Sequence, residues 1–506
     1  MAFLSIFNMG SLSLVGVCVG LASLLSLWFI ITTTMAWYRL RHIPGPFFAS
    51  LSHLWVAKSI LFGTLQKDFS GLPKYGPLVR VAPNYILTSD PKVLRQIASA
   101  RSNYGKDEWY EAVRLVPGHD NMITLLENRT HDERKAMTIK GYNGRENNNL
   151  EHAVDSQIAH FVDVVRRKYL SGSQTRRVDL APLARYFTLD LITRLAYGQA
   201  FGFLDADGDL YGYTTQLDKT LKTQNLCQEV PFLKRIVLSR PFYALFGPKP
   251  TDEEGLGKMM GVTQKIIGER FQDENPPDDM MGSFIRHGMT AQECGSEAML
   301  QLLAGSDTSA ITIRTTLMYI VATPRVYSQL KTMIKQCVER NEVSAPITYE
   351  EAQKLPYLKA VILEGIRIRS PVPYGHFKKT PPEGDTINGI FIPGGTAIGH
   401  NSLAMTRSEA IFGEDVEVFR PERFLECDEK TKDERASTID IIFGNGRWMC
   451  AGKPIVMMEL HKVFFEFLRV FDFQLINPAK GWDEKIYFLP FQKNMWVVIT
   501  EAKTNE

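Results

Sequence analysis

The first 38 residues carry no Asp, Glu, Lys or Arg. Within them, Leu12 to Trp37 is dominated by Leu, Val, Ile, Ala, Trp and Phe, with small polar residues between. A helix of about 20 such residues spans the hydrocarbon core of a bilayer. Arg39, Arg41 and His42 follow at once, and positive charge on that flank favours its retention on the cytosolic side. A cleaved signal peptide would have a basic start and a shorter apolar run. A buried core helix would rarely bring so long an uncharged flank. The pattern predicts an anchor over residues 1–38, helical from about 12 to 37. Ile43-Pro44-Gly45-Pro46 then stops the helix, because proline fixes its own φ and pushes the preceding residue out of the helical region. Residues 39–50 read as a basic, proline-rich hinge.

From Leu51 onward there is no low-complexity block, fixed-period repeat or convincing linker, so residues 51–506 read as one large body. Helical periodicity dominates it, as at Ile158 to Tyr169, Glu297 to Ala322 and Tyr357 to Arg369. Short strand-like runs occur at Leu78–Val81, Gly389–Ile392 and Met495–Ile499. Asp273 to Asp279, with Pro276-Pro277, reads as an exposed loop. Pro371, Pro373, Pro381 and Pro382 break the chain after a strong helix. The fold class is mainly α with small β-sheets, outside the repeating βαβ pattern of a doubly wound fold.

Composition narrows the chemistry. The 506 residues hold 58 Lys+Arg against 56 Asp+Glu, a balance that argues against nucleic-acid binding by bulk charge. The six cysteines (Cys18, Cys227, Cys294, Cys337, Cys427 and Cys450) are scattered, with no C-x-x-C. Zinc ribbons and thioredoxin-like sites therefore lose their usual signature. The histidines show no H-E-x-x-H pattern.

The most informative segment is Phe443-Gly444-Asn445-Gly446-Arg447-Trp448-Met449-Cys450-Ala451-Gly452, followed at once by an apolar helix. Glycines before the cysteine permit a tight loop. A helix starting beside Cys450 brings partly positive amides near the sulfur and favours thiolate, a soft ligand for iron. Phe443, Gly446, Cys450 and Gly452 fit F-x-x-G-x-x-x-C-x-G. This resembles the heme-thiolate signature of the cytochrome P-450 family. Arginine usually stands two positions before that cysteine; here the place holds Trp448, with Arg447 one residue earlier.

Three more segments fall in the family's order. Glu364-Gly365-Ile366-Arg367 places two opposite charges three apart on a helix. Arg420-Pro421-Glu422-Arg423-Phe424 resembles the family's P-E-R-F segment. By resemblance Glu364, Arg367 and Arg423 form a buried structural triad. Ala304-Gly305-Ser306-Asp307-Thr308-Ser309 interrupts a long apolar helix. It resembles the family's oxygen groove, which implies catalytic roles in proton delivery for Thr308 and Asp307. A threonine hydroxyl can also bond the carbonyl one turn back and bend the helix.

The resemblance further implies a cytochrome P-450 fold preceded by one transmembrane helix, with residues 51–506 as the heme-binding monooxygenase domain. Cys450 would be the axial ligand of heme b. Phe443, Gly446, Arg447, His131, Lys135 and Lys378 would line or hold the cofactor, His131 and Lys135 being one helical turn apart. Lys378 stands where arginine is usual, without the planar fork. Substrate contacts are expected from Tyr104 to Glu127, Leu302 to Ala304, Val372 to Gly375 and Tyr487 to Leu489. The implied partners are a hydrophobic small molecule, dioxygen, the membrane and a separate NADPH-dependent flavoprotein reductase. The reductase would dock on a basic face made of Arg447, Lys453, Arg134 and Lys140. The implied location is the endoplasmic reticulum membrane, with the catalytic domain cytosolic. Two stretches, Lys74–Asn84 and Gly141–Arg145, look like fungal biosynthetic members. A heme-thiolate isomerase, dehydratase or coupling enzyme on the same fold, and a non-enzymatic membrane heme protein, are the alternative readings.

Overall fold

The computed structural model describes residues 2–116, 118–147, 149–171 and 176–502, with residues 2–15 as backbone alone. The apolar N-terminal run forms one helix, α1 (Ala2–Arg39). It starts well before Leu12, since no proline interrupts residues 2–11. Leu24, Leu25, Trp28 and Met35 are all exposed, which no core helix would allow. The 24 residues from Gly16 to Arg39 have a mean hydropathy of 1.9 over the most apolar window, none of it buried. At about 1.5 Å per residue they reach roughly 36 Å, enough to cross a bilayer.

The junction after α1 is pinned rather than loose. Leu40 and Ile43 are buried. Arg80, itself buried on strand β1 (Leu78–Ala82), donates to the carbonyls of Ala36 (2.8 Å) and Trp37 (3.2 Å). Those last-turn carbonyls have no partner within the helix. The Arg80 amide also donates to the Pro44 carbonyl at 2.9 Å. Burial pushes the Arg80 guanidinium down to about 10. One side chain thus closes α1 and ties it to the sheet.

The helices that position the site are α2 (Asn128–Tyr142), α3 (Leu180–Tyr197), α4 (Tyr213–Glu229), α5 (Ala291–Ala322), α6 (Pro356–Ile368) and α7 (Lys453–Val470). The long helix α5 begins on a capping box: the Thr290 hydroxyl accepts from the Glu293 amide, and the Glu293 carboxylate accepts from the Thr290 amide. It runs through the core with most of its faces covered and packs chiefly on α3. Expected helices fall on α5, α6 and Leu150–Val165, the last passing into a π-turn at Arg166–Leu170.

Strands β2 (Tyr85–Thr88), β3 (Gly105–Lys106), β4 (Tyr374–Lys379) and β5 (Ala397–Asn401) complete a five-stranded sheet with β1, in the order β1-β2-β5-β4-β3. Only the β2–β5 pair is parallel among the described strands of this sheet. The β4–β5 register slips between Gly375 and Lys378, which leaves one extra residue on β4. A three-stranded sheet joins Arg177–Asp179, Trp496–Glu501 and Phe471–Leu475, and the remaining described strands form two small hairpins. The expected runs near Val79, Ile390 and Val497 are all strands.

The buried charge cluster joins α6 to the segment ahead of the cysteine loop. Glu364, Arg367 and Arg423 are each fully buried. Arg367 holds Glu364 with both arms, at 2.7 and 2.9 Å. Arg423 Nε donates to the same carboxylate at 3.1 Å. Arg367 also donates to the carbonyls of Thr406 (2.9 Å), Val416 (2.8 Å) and Val418 (3.2 Å). Arg423 reaches the carbonyls of Phe412, Asp415 and Val418 and the Asp415 carboxylate. Burial alone would raise Asp415, but hydrogen bonds from Arg420 and Arg423 pull its carboxyl down to about 2. Removing one member leaves the others charged and dry, which costs about 3–5 kcal/mol. Glu364→Ala is therefore expected to lower the unfolding free energy by that amount, read as a lower denaturant midpoint at unchanged slope. A midpoint equal to the parent's would show that the cluster does not hold the fold.

Candidate active site

A large cavity lies between α5 and the loop of residues 441–452. Gly305 and Thr308 line one side, and Phe443, Trp448 and Cys450 line the other. Gly446 has φ +56, and a Cβ there would meet the Ala98 carbonyl at 2.3 Å, so the loop needs glycine at that turn. The Cys450 amide donates to the Phe443 carbonyl at 2.7 Å, which closes the loop on itself. Cys450 is exposed and lines the cavity. Burial pushes its thiol up, against the downward pull of the Gly452 and Lys453 amides and of Lys135. The helix-start amides are thus present as expected, but desolvation outweighs them.

Across the cavity, Gly305 is where α5 meets α3: a Cβ would come within 2.7 Å of Ile192. Thr308 Oγ1 donates to the Ala304 carbonyl at 2.9 Å, as the local rule predicts. Asp307 points elsewhere. Its carboxylate accepts from Arg185 Nε at 2.6 Å, and Arg185 also holds Asp218 at 2.9 Å. Asp307, Arg185 and Asp218 line a small neighbouring cleft rather than the main cavity.

The cationic wall comes from three elements. His131 and Lys135 on α2 both line the cavity, as does Lys378 on β4. His131 is pushed down to about 4, by burial first and then by the Lys106 charge. Lys135 Nζ donates to the carbonyls of Arg447 (2.7 Å) and Met449 (3.0 Å), and so holds the cysteine loop. Arg447 itself does not line the cavity; its Nε pairs with Asp132 at 3.0 Å. Asp132 also contacts His131 Nδ1 at 3.1 Å, and was not singled out by sequence. Nor was Lys106. It lies directly opposite Lys378 in the β3–β4 pair, and both are buried. Burial pushes Lys106 down to about 7, and Lys378 well below its ordinary value. Like charges directly opposite on neighbouring strands destabilise a sheet. An anion in the cavity would remove that cost.

Trp448 stands where arginine was expected, and its buried Nε1–H has no partner. Its ring lies under Lys378, with Nζ 4.2 Å from the ring centroid. The expected basic face is smaller than the sequence implied. Arg134 is buried and paired with Glu293 (2.7 Å) and Glu297 (3.2 Å). Lys140 pairs with Glu146 and Lys453 with Asp440. Of the expected substrate segments, Trp109, Tyr110, Met122, Leu303, Ala304, Val372, Tyr374, Phe488 and Leu489 are among those facing the cavity; Leu302 and Tyr487 are not.

The family profile described as Cytochrome P450 matches residues 43–491. The chain belongs to the cytochrome P450 family. It is 42% identical over 476 residues to the cytochrome P450 monooxygenase aba1 of Botryotinia fuckeliana, covering 92% of this chain and 93% of that protein. Identity to the cytochrome P450 monooxygenase ABA1 of Pyricularia oryzae is 40% over 493 residues, with 95% and 96% covered. The crystal structure of the cytochrome P450DA heme domain shares the fold, with a TM-score of 0.71 at 16% identity, covering 91% of this chain and 98% of that one. The protein is a heme-thiolate monooxygenase.

The lining of this P450's cavity fits heme. Cys450 would ligate the iron. The unpartnered Trp448 Nε1–H and the ammonium groups of Lys106 and Lys378 would meet its carboxylates. Cys450→Ala is expected to abolish the red-shifted band of the reduced carbon monoxide complex, while Cys427→Ala keeps it. Retention of that band in Cys450→Ala would remove the ligand assignment. Trp448→Phe is expected to speed heme loss to apomyoglobin about tenfold, the worth of one hydrogen bond to a charged group. An unchanged rate would show that the indole N–H points at nothing.

Proposed function

We propose that this P450 places one oxygen atom of dioxygen on a hydrophobic small molecule, by hydroxylation, epoxidation or successive oxidations, in fungal secondary metabolism. The facing of Cys450 and Thr308 across one largely apolar cavity carries the reading. Heme b, held by Cys450, supplies oxygen activation when bound. Two electrons per turnover come from a separate NADPH-dependent flavoprotein reductase. The protein's own task is to bind and orient the substrate, exclude water and deliver protons.

Thr308 presents its hydroxyl at the cavity surface while its backbone carbonyl accepts from Thr312 Oγ1 at 3.0 Å. In this rotamer the hydroxyl gives its one proton to the Ala304 carbonyl, so its oxygen is free to accept from a cavity water, and passing a proton on requires the O–H to turn away from Ala304. Asp307 is one residue away but locked to Arg185. For Asp307 to take up a proton and pass it on, the Arg185 contact must loosen; Asp218 keeps the guanidinium paired meanwhile. Apolar side chains such as Leu303, Val372, Phe488 and Leu489 suit a hydrocarbon-rich substrate.

The reading places the enzyme on the endoplasmic reticulum membrane, with α1 crossing it and the catalytic domain cytosolic. Exposed apolar side chains support contact with lipid beyond α1. Phe47, Phe48, Leu54 and Phe62 follow that helix, and Phe232, Leu245 and Phe246 form a second group on two short helices. Such patches on a globular surface mark a partner or a membrane.

Thr308→Ala is expected to uncouple the reaction. NADPH oxidation continues, but product formed per NADPH falls about tenfold and peroxide accumulates in its place, a loss within the range of one proton-transfer group. Coupling equal to that of the parent enzyme would remove Thr308 from proton delivery.

A further inference from the structure

One stretch of the cavity wall is polar, buried and incompletely bonded. Gln228, near the C-terminal end of α4, is buried and lines the cavity. Its Oε1 accepts from Asn225 Nδ2 at 3.4 Å, and its Nε2 has no partner. Asn225 Nδ2 also donates to the Tyr374 hydroxyl at 2.7 Å, and that hydroxyl donates to Glu229 Oε1 at 3.0 Å. Glu229 accepts a further bond from Trp109 Nε1 at 2.7 Å. With its oxygen turned to Asn225, the Gln228 amide keeps its buried N–H groups for an acceptor that its protein neighbours do not supply, and Asn225 Oδ1 is likewise without a partner.

His376 adds a second polar group. It sits at the β4 bulge with φ +50, a left-handed conformation that a non-glycine residue rarely adopts. Bulges beside active sites re-aim side chains, and here the His376 imidazole lines the cavity. Its ring packs on His400 with centroids 4.7 Å apart. Burial first, then the His400, Lys378 and Lys106 charges, push it well below its ordinary value, so it is neutral.

We propose that Gln228 and His376 read one uncharged oxygen, a carbonyl or hydroxyl, on an otherwise hydrocarbon substrate. The inference rests on the monooxygenase reading above and deepens it. A buried amide donor left without an acceptor is costly, and an oxygen on the substrate satisfies it. An ionised carboxylate is disfavoured. The buried Glu229 carboxyl lies in the same network, and burial already pushes it up to about 7 in spite of bonds from Trp109 and Tyr374. The substrate therefore arrives already oxygenated, and an earlier oxidation, hydration or acyl-condensing step must supply it.

The test uses the full-length holoenzyme and a matched pair of probes, cyclododecane and cyclododecanone. Each is titrated by the change in heme spin state, and the ratio of the two dissociation constants is compared between proteins. Wild type is expected to favour the ketone. Gln228→Leu is expected to lower that preference about tenfold, the cost of one buried unpaired donor. His376→Phe is expected to lower it in the same direction by a smaller factor. The proposal is overturned by equal affinities in wild type, by no response to the ketone, or by a preference unchanged in Gln228→Leu. An unchanged preference in His376→Phe removes that residue from the proposal. The reduced carbon monoxide band, recorded on every protein, separates the outcomes: its absence from wild type overturns the heme reading instead.

Discussion

Two guanidinium groups and one carboxylate share a site that water does not reach. Glu364 accepts from Arg367 and Arg423 together, and the arginines' other N–H groups meet carbonyls between Thr406 and Val418. Such a cluster is tolerable only when nearly every donor is matched. Its geometry therefore dictates the path of the chain from α6 to Arg423. The stretch that follows leads into the loop bearing Cys450. The position of the cysteine relative to α5 thus depends on charges that never touch the cavity.

The cavity shows the opposite economy. Lys106 and Lys378 face one another across two strands with no carboxylate between them, and the Trp448 indole N–H is unpartnered. Folded proteins rarely leave buried donors unmatched. Lys106 already gives to the carbonyls of Met122 and Ile123 and Lys378 to the Tyr110 hydroxyl, so what these two lack is a counter-charge, and a ligand anion would supply it along with an acceptor for the Trp448 N–H. The same reasoning applies to Gln228, whose bonding partners are set on one side and missing on the other. A structural triad that is complete and a cavity wall that is incomplete are two uses of the same physical cost.

Much of the site was legible because its members are close in sequence. Phe443, Gly446 and Cys450 belong to one loop, Glu364 and Arg367 to one helical turn, and Asp307 and Thr308 to adjacent positions. Local spacing reports local geometry. It does not report which face of a buried helix a charge takes: Asp307 turned to Arg185, 122 positions away, and Arg134 turned inward to Glu293 and Glu297. Nor does it report register. Lys106 and Lys378 become neighbours only when β3 pairs with β4.

By itself the sequence determined the uncharged N-terminal helix and the α-rich class, which depend on residue type and short-range periodicity; Cys450 as the iron-holding cysteine and Thr308 in the oxygen groove followed from the resemblance of their segments to the family's motifs. Tertiary structure alone decided the rest: that Arg80 closes α1, that Asp132 rather than the cofactor takes Arg447, and that Gln228 and His376 share one cavity wall. These contacts join residues far apart in the chain. Desolvation and hydrogen-bond matching select them only once the backbone has brought the groups together.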